Sequence, residues 1–148
     1  MTTTTAKCLN TNDQGQKSAE VGLAGLGLDP LRLMLIPLER QVAEKLHAYT
    51  RTYRSGGTTR AKDLVDLLLI RQYITVDPGL LRAAIQRVFL RRATHPVPER
   101  LSAPPTALAV AFRREARATS TVAELEDAHH QLAAWLNPVL AEIHGLPR

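Results

Sequence analysis

Residues 36–70 constrain the fold more than any other stretch, because they describe two amphipathic helices separated by a short turn. From Pro37 onward apolar side chains recur every three to four residues, which is the spacing of one helix face, and proline suits a first helical position. The segment RSGGTT interrupts this pattern, because adjacent glycines favour a turn and a following threonine can cap a helix. We therefore predict helices over residues 37–51 and 60–73, which the Gly-Gly turn can fold into an antiparallel hairpin.

Three further helices are predicted downstream. An Asp-Pro pair starts the third, over residues 78–92, and its apolar face is Leu81, Ile85, Val88 and Phe89. Four prolines among residues 94–105 then predict an extended loop.

The fourth helix is predicted over residues 105–118 and the fifth over 121–144. Ser120 or Thr121 is the expected cap of the fifth helix, with Glu124 placed for a capping box. Pro138 is expected to kink or divide that helix.

The N-terminal region has a different composition. Residues 1–20 are mostly Thr, Asn, Gln, Lys and Ser, with little apolar surface to offset the entropy of ordering, so we interpret them as a disordered tail. Residues 21–36 indicate a loop and one short strand. Residues 37–148 form the helical domain, and because only 4% of the chain is aromatic, its core should be aliphatic. The predicted fold class is mainly α, with about five helices in a bundle.

Charge and cysteine content bound the function more loosely. The formal charge of +5 permits a nucleic acid or a nucleotide phosphate as partner without selecting one. The single cysteine, Cys8, excludes an internal disulfide and a multi-cysteine zinc site. The sequence shows neither a signal peptide nor the roughly 20 apolar residues of a membrane span, so we expect a soluble cytoplasmic protein without a membrane partner.

Three charged residues interrupt the apolar pattern of the hairpin. Lys45 lies on the apolar side of the first helix, and no carboxylate of that helix is spaced to pair with it. Asp66 lies within the apolar run LVDLLLI of the second helix, and Asp63 lies one turn earlier on the same side. An unpaired buried carboxylate costs several kcal/mol, so a cation must meet these acids, and Lys45 is the candidate if the hairpin closes.

Two interpretations of this group stay open from the residues alone. The lysine and an aspartate can form a structural pair that keeps two helices in register. Alternatively they line a nucleotide cleft, where lysine neutralises phosphate and the acid orients it or a metal ion. Solvent accessibility of the group distinguishes the two.

Other polar groups invite weaker hypotheses. His129 and His130 are adjacent, so they point about 100° apart on a helix and cannot chelate one ion as an i, i+4 pair would. We expect structural hydrogen bonds for His47 and His95. The doublets Arg91–Arg92 and Arg113–Arg114 suit phosphate or RNA contact but also suit a solvated helix face. Trp135 is expected to be a core or interface anchor.

The segments PLERQVAEKLHAYTR and GTTRAKDLVDLLLI resemble the bacterial abortive-infection nucleotidyltransferase toxins of the AbiEii/AbiGii type. FLRRATHPVPERLSAPP resembles the family's Phe-x-x-Arg-x-Thr-His and Pro-Pro segments, and the likeness extends to WLNPVL, covering about residues 36–140. The resemblance implies the C-terminal helical portion of a toxin from a toxin–antitoxin or phage-defence system. It implies Mg²⁺ and a nucleoside triphosphate as cofactors, and an antitoxin, a separate catalytic half, or tRNA or other RNA as partners.

By position in the family motifs, Lys45 resembles the family lysine and Asp63 the later catalytic aspartate, with Asp66 as the less favoured alternative. The sequence departs from the family in having no Gly-Ser followed by Asp-x-Asp, the elements that hold the nucleotide and metal ions. We therefore expect a truncated, split or degenerate member that binds neither cofactor tightly and transfers no nucleotide alone. The alternatives are a helical protein-interaction module and a basic RNA-binding domain.

Overall fold

The computed structural model describes residues 6–11, 17–21, 29, 31–51, 58–119, 122 and 124–145. The chain divides into two compact units, Met1–Leu38 and Glu39–Arg148.

The first unit contains a three-stranded antiparallel sheet in the order β1-β2-β3. Its strands are β1 (Ala6–Thr11), β2 (Lys17–Val21) and β3 (Leu31–Leu35). Lys17 pairs with Leu35 and Val21 with Leu31, so β2 is matched to β3 along its whole length. The register between β1 and β2 shifts between Cys8 and Asn10.

The predicted short strand is present as β3. The other two strands lie where the sequence analysis predicted a disordered tail, so the structure adds β1 and β2 to the predicted fold. The physical reason is that backbone hydrogen bonds between neighbouring strands do not require apolar side chains, whereas the prediction counted only apolar surface.

The helices account for most of the rest of the described chain, which confirms a mainly α fold with five α-helices. They are α1 (Leu38–Thr50), α2 (Thr58–Tyr73), α3 (Pro78–Arg92), α4 (Ala109–Arg117) and α5 (Leu125–Ile143). The first three agree with the predicted boundaries to within two residues. Residues 93–105 between α3 and α4 contain no helix, as their prolines predicted.

Helices α1 and α2 run antiparallel. Arg60 near the start of α2 donates to the carbonyl of Arg51, just after α1, at 2.6 Å. Further along α2, Asp63 and Asp66 contact Lys45, which lies earlier on α1. Because contacts that come later in α2 reach earlier positions of α1, the predicted hairpin is confirmed.

The core of the helical unit is aliphatic, as the low aromatic content predicted. Helix α2 contributes more buried residues than any other described helix, namely Ala61, Leu64, Val65, Leu67, Leu68 and Ile70. It packs against α4 and α5, while α3 packs against α5. The predicted face of α3 is confirmed, because Leu81, Ile85, Val88 and Phe89 are all buried. Phe112 of α4 is fully buried.

The ends of α3 are well defined. The Asp77 side chain accepts a hydrogen bond from the Leu80 amide at 2.8 Å and so caps the N-terminus, as the Asp-Pro start predicted. At the other end Ala93 adopts the left-handed conformation, with φ of 48°, and its amide donates to the Phe89 carbonyl. This turn sends residues 94 and 95 back toward α1.

Two predictions for the last helices were wrong in detail. The predicted start of helix four is a 3-10 turn, Thr106–Leu108, before α4 begins. Helix α5 begins at Leu125, with Glu124 as N-cap and no side-chain cap hydrogen bond, so there is no capping box. The Glu124 carboxylate instead accepts a hydrogen bond from Arg113 at 3.0 Å. Ser120 and Thr121 lie outside the described residues.

Pro138 lies inside α5 without dividing it, since the helix continues to Ile143. None of the helices in the described part of the chain is both long enough and apolar enough to cross a membrane.

Candidate functional site

The structure brings Lys45, Asp63 and Asp66 together on the facing sides of α1 and α2. The Lys45 Nζ lies 2.5 Å from Asp66 Oδ2 and 3.5 Å from Asp63 Oδ1. One ammonium therefore contacts two carboxylates that are three residues, or about one helical turn, apart on α2. The formal charge of the group is −1, so it keeps an excess of negative charge.

The backbone around these side chains is firmly packed. On α1 the lysine is next to Leu46 and two residues after Ala43, and on α2 Leu64 and Val65 separate the two aspartates; all four apolar residues are buried. The polar side chains are only partly covered, with exposed fractions of 25% for Lys45, 23% for Asp63 and 30% for Asp66. The group is thus held by a rigid core but remains reachable from solvent.

Burial affects the titration of Asp63. Loss of hydration raises the pKa of the Asp63 carboxyl above its ordinary value of 3.8, and the negative charge of Asp66 raises it further. Lys45 and Lys62 lower the pKa, but they do not cancel the effect of burial. The Asp63 carboxyl therefore holds its proton more tightly than an ordinary aspartate does.

The described residues do not by themselves fit a magnesium ion. Mg²⁺ requires near-octahedral oxygen coordination, whereas the carboxylates of Asp63 and Asp66 are already engaged by an ammonium. Among the residues that the structure describes, no group of three or more His, Cys, Asp or Glu side chains is arranged to hold a metal ion.

Glu44, next to Lys45 in the sequence, anchors α1 to the end of α3. Its Oε1 lies 2.6 Å from Arg91 and its Oε2 lies 2.7 Å from Arg92. Arg40, one helical turn before Glu44 on α1, is more distant at 3.9 Å. The sequence did not predict the arginines of α3 as partners, because nothing in local spacing relates positions 47 residues apart.

A second polar cluster lies beyond Lys45 on α1. His47 is buried, with 5% of its surface exposed, and its Nε2 lies 2.8 Å from Thr94 Oγ1. The His95 Nε2 lies 2.9 Å from Thr50 Oγ1. The expected structural hydrogen bonds of both histidines are confirmed. The sequence did not predict Thr94 and Thr50 as the partners of these histidines, although Thr94 lies in the Phe-x-x-Arg-x-Thr-His segment.

The remaining candidates are placed as structural groups. His129 Nε2 lies 3.1 Å from the Leu101 carbonyl, and the His129 and His130 rings are 6.1 Å apart, so this pair does not converge on one ion. Arg113 and Arg114 pair with Glu124 and Glu115. Trp135 is partly buried.

Comparison with known protein families gives one match. A family model described as "Nucleotidyl transferase AbiEii toxin, Type IV TA system" matches residues 14–137, which is most of the chain. No curated protein matches the sequence. Lys45, Asp63 and Asp66 all lie inside the matched range. The chain belongs to the AbiEii family of nucleotidyl transferase toxins of type IV toxin–antitoxin systems.

Proposed function

We propose that Lys45, Asp63 and Asp66 are the helical unit's share of a nucleotide site. The observation that supports this is one ammonium 2.5 Å and 3.5 Å from two carboxylates, in a group whose side chains keep 23–30% of their surface exposed. A pair that only locked two helices together could be sealed from solvent, whereas a phosphate-binding lysine must be reachable. Family membership favours the second role.

In this proposal each residue has its own task. Lys45 neutralises the phosphate oxygens of a nucleoside triphosphate, a task that suits a compact ammonium on a flexible stem. Asp66, at 2.5 Å, orients that ammonium before the nucleotide arrives. Asp63 is the family's catalytic aspartate, with Asp66 as the alternative. The raised pKa of Asp63 fits a functional acid, since perturbed titration in a partly open site is typical of such groups.

We further propose that this chain alone transfers no nucleotide and binds Mg²⁺ only weakly. Its 148 residues contain no Gly-Ser followed by Asp-x-Asp. Phosphoryl transfer requires carboxylates that hold metal ions against the phosphates, and two aspartates shared by one lysine do not supply them. A catalytic half that carries those elements would complete the site.

Nucleotide contact can be tested by NMR on protein with ¹⁵N-labelled lysine side chains. Addition of ATP with Mg²⁺ is expected to shift the Lys45 signal of the wild-type protein. Because Lys45→Ala lacks that signal, its ATP affinity is measured by isothermal titration calorimetry and should be weaker than that of wild type. The matched control is Lys62→Ala, because Lys62 is an exposed lysine of the same hairpin. Equal weakening by both substitutions would mean that ATP binds through general positive charge, which contradicts the proposed site.

The inactivity of the chain alone needs a separate assay. Incubation with labelled nucleoside triphosphates, Mg²⁺ and tRNA is expected to give no labelled RNA. Robust labelling that is lost in Lys45→Ala would overturn this claim while supporting the role of the lysine.

A second candidate function is a helical module that binds a partner protein, either the antitoxin or a separate catalytic half. The observation that favours it is the exposure of large apolar side chains on the helical unit, with 83% of Leu90 and 79% of Val110 accessible. Such residues are ordinary when scattered but mark an interface when contiguous. If Leu90→Ser and Val110→Ser leave binding of an antitoxin of this family unchanged, those two residues are not part of its interface.

A third candidate, RNA binding through the arginine doublets, is supported only by net charge. Arg91 and Arg92 share one carboxylate, and Arg113 and Arg114 each contact one. Failure to bind tRNA at low salt would exclude it, since phosphate contacts are strongest there.

A further inference from the structure

The end of α1 is joined to the segment after α3 by a continuous chain of side-chain hydrogen bonds. His47 Nε2 lies 2.8 Å from Thr94 Oγ1, which lies 3.0 Å from His95 Nδ1. The other nitrogen of His95 lies 2.9 Å from Thr50 Oγ1. Phe89 packs edge-on against both imidazoles, with ring centroids 4.9 Å and 5.1 Å away.

The direction of every bond in this chain follows from the first donor. The Thr50 hydroxyl donates to the Leu46 carbonyl at 2.9 Å, so its oxygen must accept a hydrogen from His95 Nε2. A neutral imidazole carries one hydrogen, which leaves His95 Nδ1 as an acceptor for the Thr94 hydroxyl. The oxygen of Thr94 can then only accept from His47 Nε2. Both histidines are thereby assigned as neutral Nε2–H tautomers.

We propose that this hydrogen-bond chain is a positioning device for α1, and hence for Lys45, and that its bond from the Thr94 hydroxyl to His95 Nδ1 forms only while His95 is neutral. Its relevance to nucleotide binding rests on the proposed function, because Lys45 is the residue that it would position. Lys45 is two residues before His47 on the same helix, so loss of the chain loosens the C-terminal turns of α1 that carry both residues.

Protonation of His95 removes one bond of the chain at a specific atom. The proton adds to Nδ1, so the Thr94 hydroxyl can no longer donate there. Its oxygen must then accept from both imidazoles, and its hydrogen loses its partner in the chain. The His47 and His95 rings are 4.6 Å apart, so a charge on one disfavours a charge on the other. His95 is only partly buried, which gives solvent protons access to it.

Most of the surrounding charges lower the pKa of His47 and His95, as burial does. Burial lowers the pKa of both imidazoles below the ordinary value of 6.5. Arg51, after the end of α1, lowers the pKa of both, and His95 and Arg92 lower that of His47. Glu44 opposes them by raising the pKa of His47. Since the folded state binds these protons less tightly than the unfolded state, the stabilisation is present above pH 6.5 and is lost as the pH falls through the lowered values.

The protonation states can be read directly by NMR of the imidazole nitrogens during a titration from about pH 8 to about pH 5, the range in which histidine changes charge. We expect His47 and His95 to titrate below 6.5 and to show the Nε2–H tautomer when neutral. A midpoint at or above the ordinary value of 6.5, or an Nδ1–H tautomer in either residue, would overturn the assignment.

The positioning role is tested by comparing Thr94→Ser with Thr94→Val. Serine keeps the hydroxyl that links the two imidazoles, whereas valine has a similar shape and cannot form either bond. In the wild-type protein and in Thr94→Ser, the ¹⁵N signal of the Lys45 amine should move with the same midpoint as His95. In Thr94→Val that pH-dependent movement should be absent, and the neutral His47 should show mixed tautomers.

A Lys45 signal that is unchanged through the histidine titration of the wild-type protein would refute the positioning role, as would identical behaviour of the serine and valine variants. These readouts need no ligand, so they remain decisive if ATP fails to bind. Failure of ATP binding would count against the proposed nucleotide site alone.

Discussion

Lys45 is the residue on which the electrostatics of the α1–α2 hairpin depend. Its ammonium is the cation that the structure places within 4 Å of both Asp63 and Asp66. The three side chains are about three-quarters covered, so water only partly compensates either carboxylate. The lysine therefore stabilises the fold as well as serving the proposed site.

Lys45→Met is expected to lower the free energy of unfolding by about 2 kcal/mol. Fully buried pairs lose about 3–5 kcal/mol when one partner is removed, and partial exposure reduces that cost. Urea unfolding at neutral pH measures the change, and Lys62→Met, which removes an exposed lysine from the same hairpin, should stay within about 0.5 kcal/mol of wild type. Equal effects of the two substitutions would show that the pair contributes nothing beyond net charge.

Removing the charge of Asp63 and removing that of Asp66 should change the free energy of unfolding differently. Because the folded state binds a proton on Asp63 more tightly than the unfolded state, ionisation of Asp63 lowers stability as the pH rises above 3.8 through the raised folded value. Asp63→Asn should therefore be neutral or slightly stabilising at pH 7. Asp66→Asn loses the 2.5 Å ion pair and should cost about 1 kcal/mol.

Urea titrations of Asp63→Asn and Asp66→Asn at about pH 4 and about pH 7 separate these effects, since the raised pKa of Asp63 places the loss of its proton above the ordinary value of 3.8. The difference between Asp63→Asn and wild type should grow in favour of the variant as the pH rises. A wild-type protein that gains stability over the same window relative to Asp63→Asn would contradict the direction given for the Asp63 pKa.

At the scale of elements, the end of α3 is attached to α1 both by the ion pairs of Glu44 and by the cluster that contains His47. Ala93 ends the helix in a left-handed conformation, φ 48°, and the next two residues are Thr94 and His95. Arg91 and Arg92, in the last turn of the same helix, bind Glu44. One helix end thus holds α1 through the ion pairs of Glu44 and, about one helical turn later on the same face of α1, through the histidine chain.

Ala93→Gly should stabilise the protein by up to about 1 kcal/mol, because a left-handed backbone costs an L-residue roughly that amount and costs glycine almost nothing. The same substitution at the exposed Ala83, in the middle of α3, should destabilise by about 0.5–1 kcal/mol. The two free energies of unfolding, measured in urea, should therefore have opposite signs. A loss of stability in Ala93→Gly would show that unfolded-state entropy outweighs the relief of backbone strain.

Prediction from sequence succeeded where a local rule applied. The three-to-four-residue spacing of apolar side chains gave α1, α2 and α3 almost to the residue, and the Asp-Pro start of α3 gave its cap. The argument that a buried aspartate needs a cation led to Lys45 as its partner. Each of these inferences required information from one or two neighbouring helices only.

Prediction failed where a contact joins residues far apart in the sequence, and where a structure is stabilised by backbone rather than side-chain interactions. The strands β1 and β2 pair through their backbones, and no apolar pattern in the sequence predicted them. Thr94 meets His47 across 47 positions, a distance at which spacing rules carry no information. Glu124 has the spacing of a capping box, but its carboxylate forms an ion pair with Arg113 instead. Helix α5 begins at Leu125, directly after it.

For the whole molecule, the helical unit carries its own core. All side chains that are described as buried lie between Val42 and Leu140. They come from α1 to α5 and from the segments that connect these helices, and all lie inside the compact unit Glu39–Arg148. A core drawn from one compact unit is the condition for folding as one cooperative domain.

A fragment of residues 37–148 is therefore expected to fold by itself. Its far-ultraviolet circular dichroism should show helix, and urea should unfold it in a single transition with a free energy within about 1 kcal/mol of that measured for the same helices in the full chain. Phe112→Ala in the fragment serves as the control for core integrity, because emptying the space of a fully buried phenylalanine costs about 3–5 kcal/mol in a well-packed core. A fragment that binds hydrophobic dyes, melts gradually and is insensitive to Phe112→Ala would show that the helices need residues 1–36 to pack.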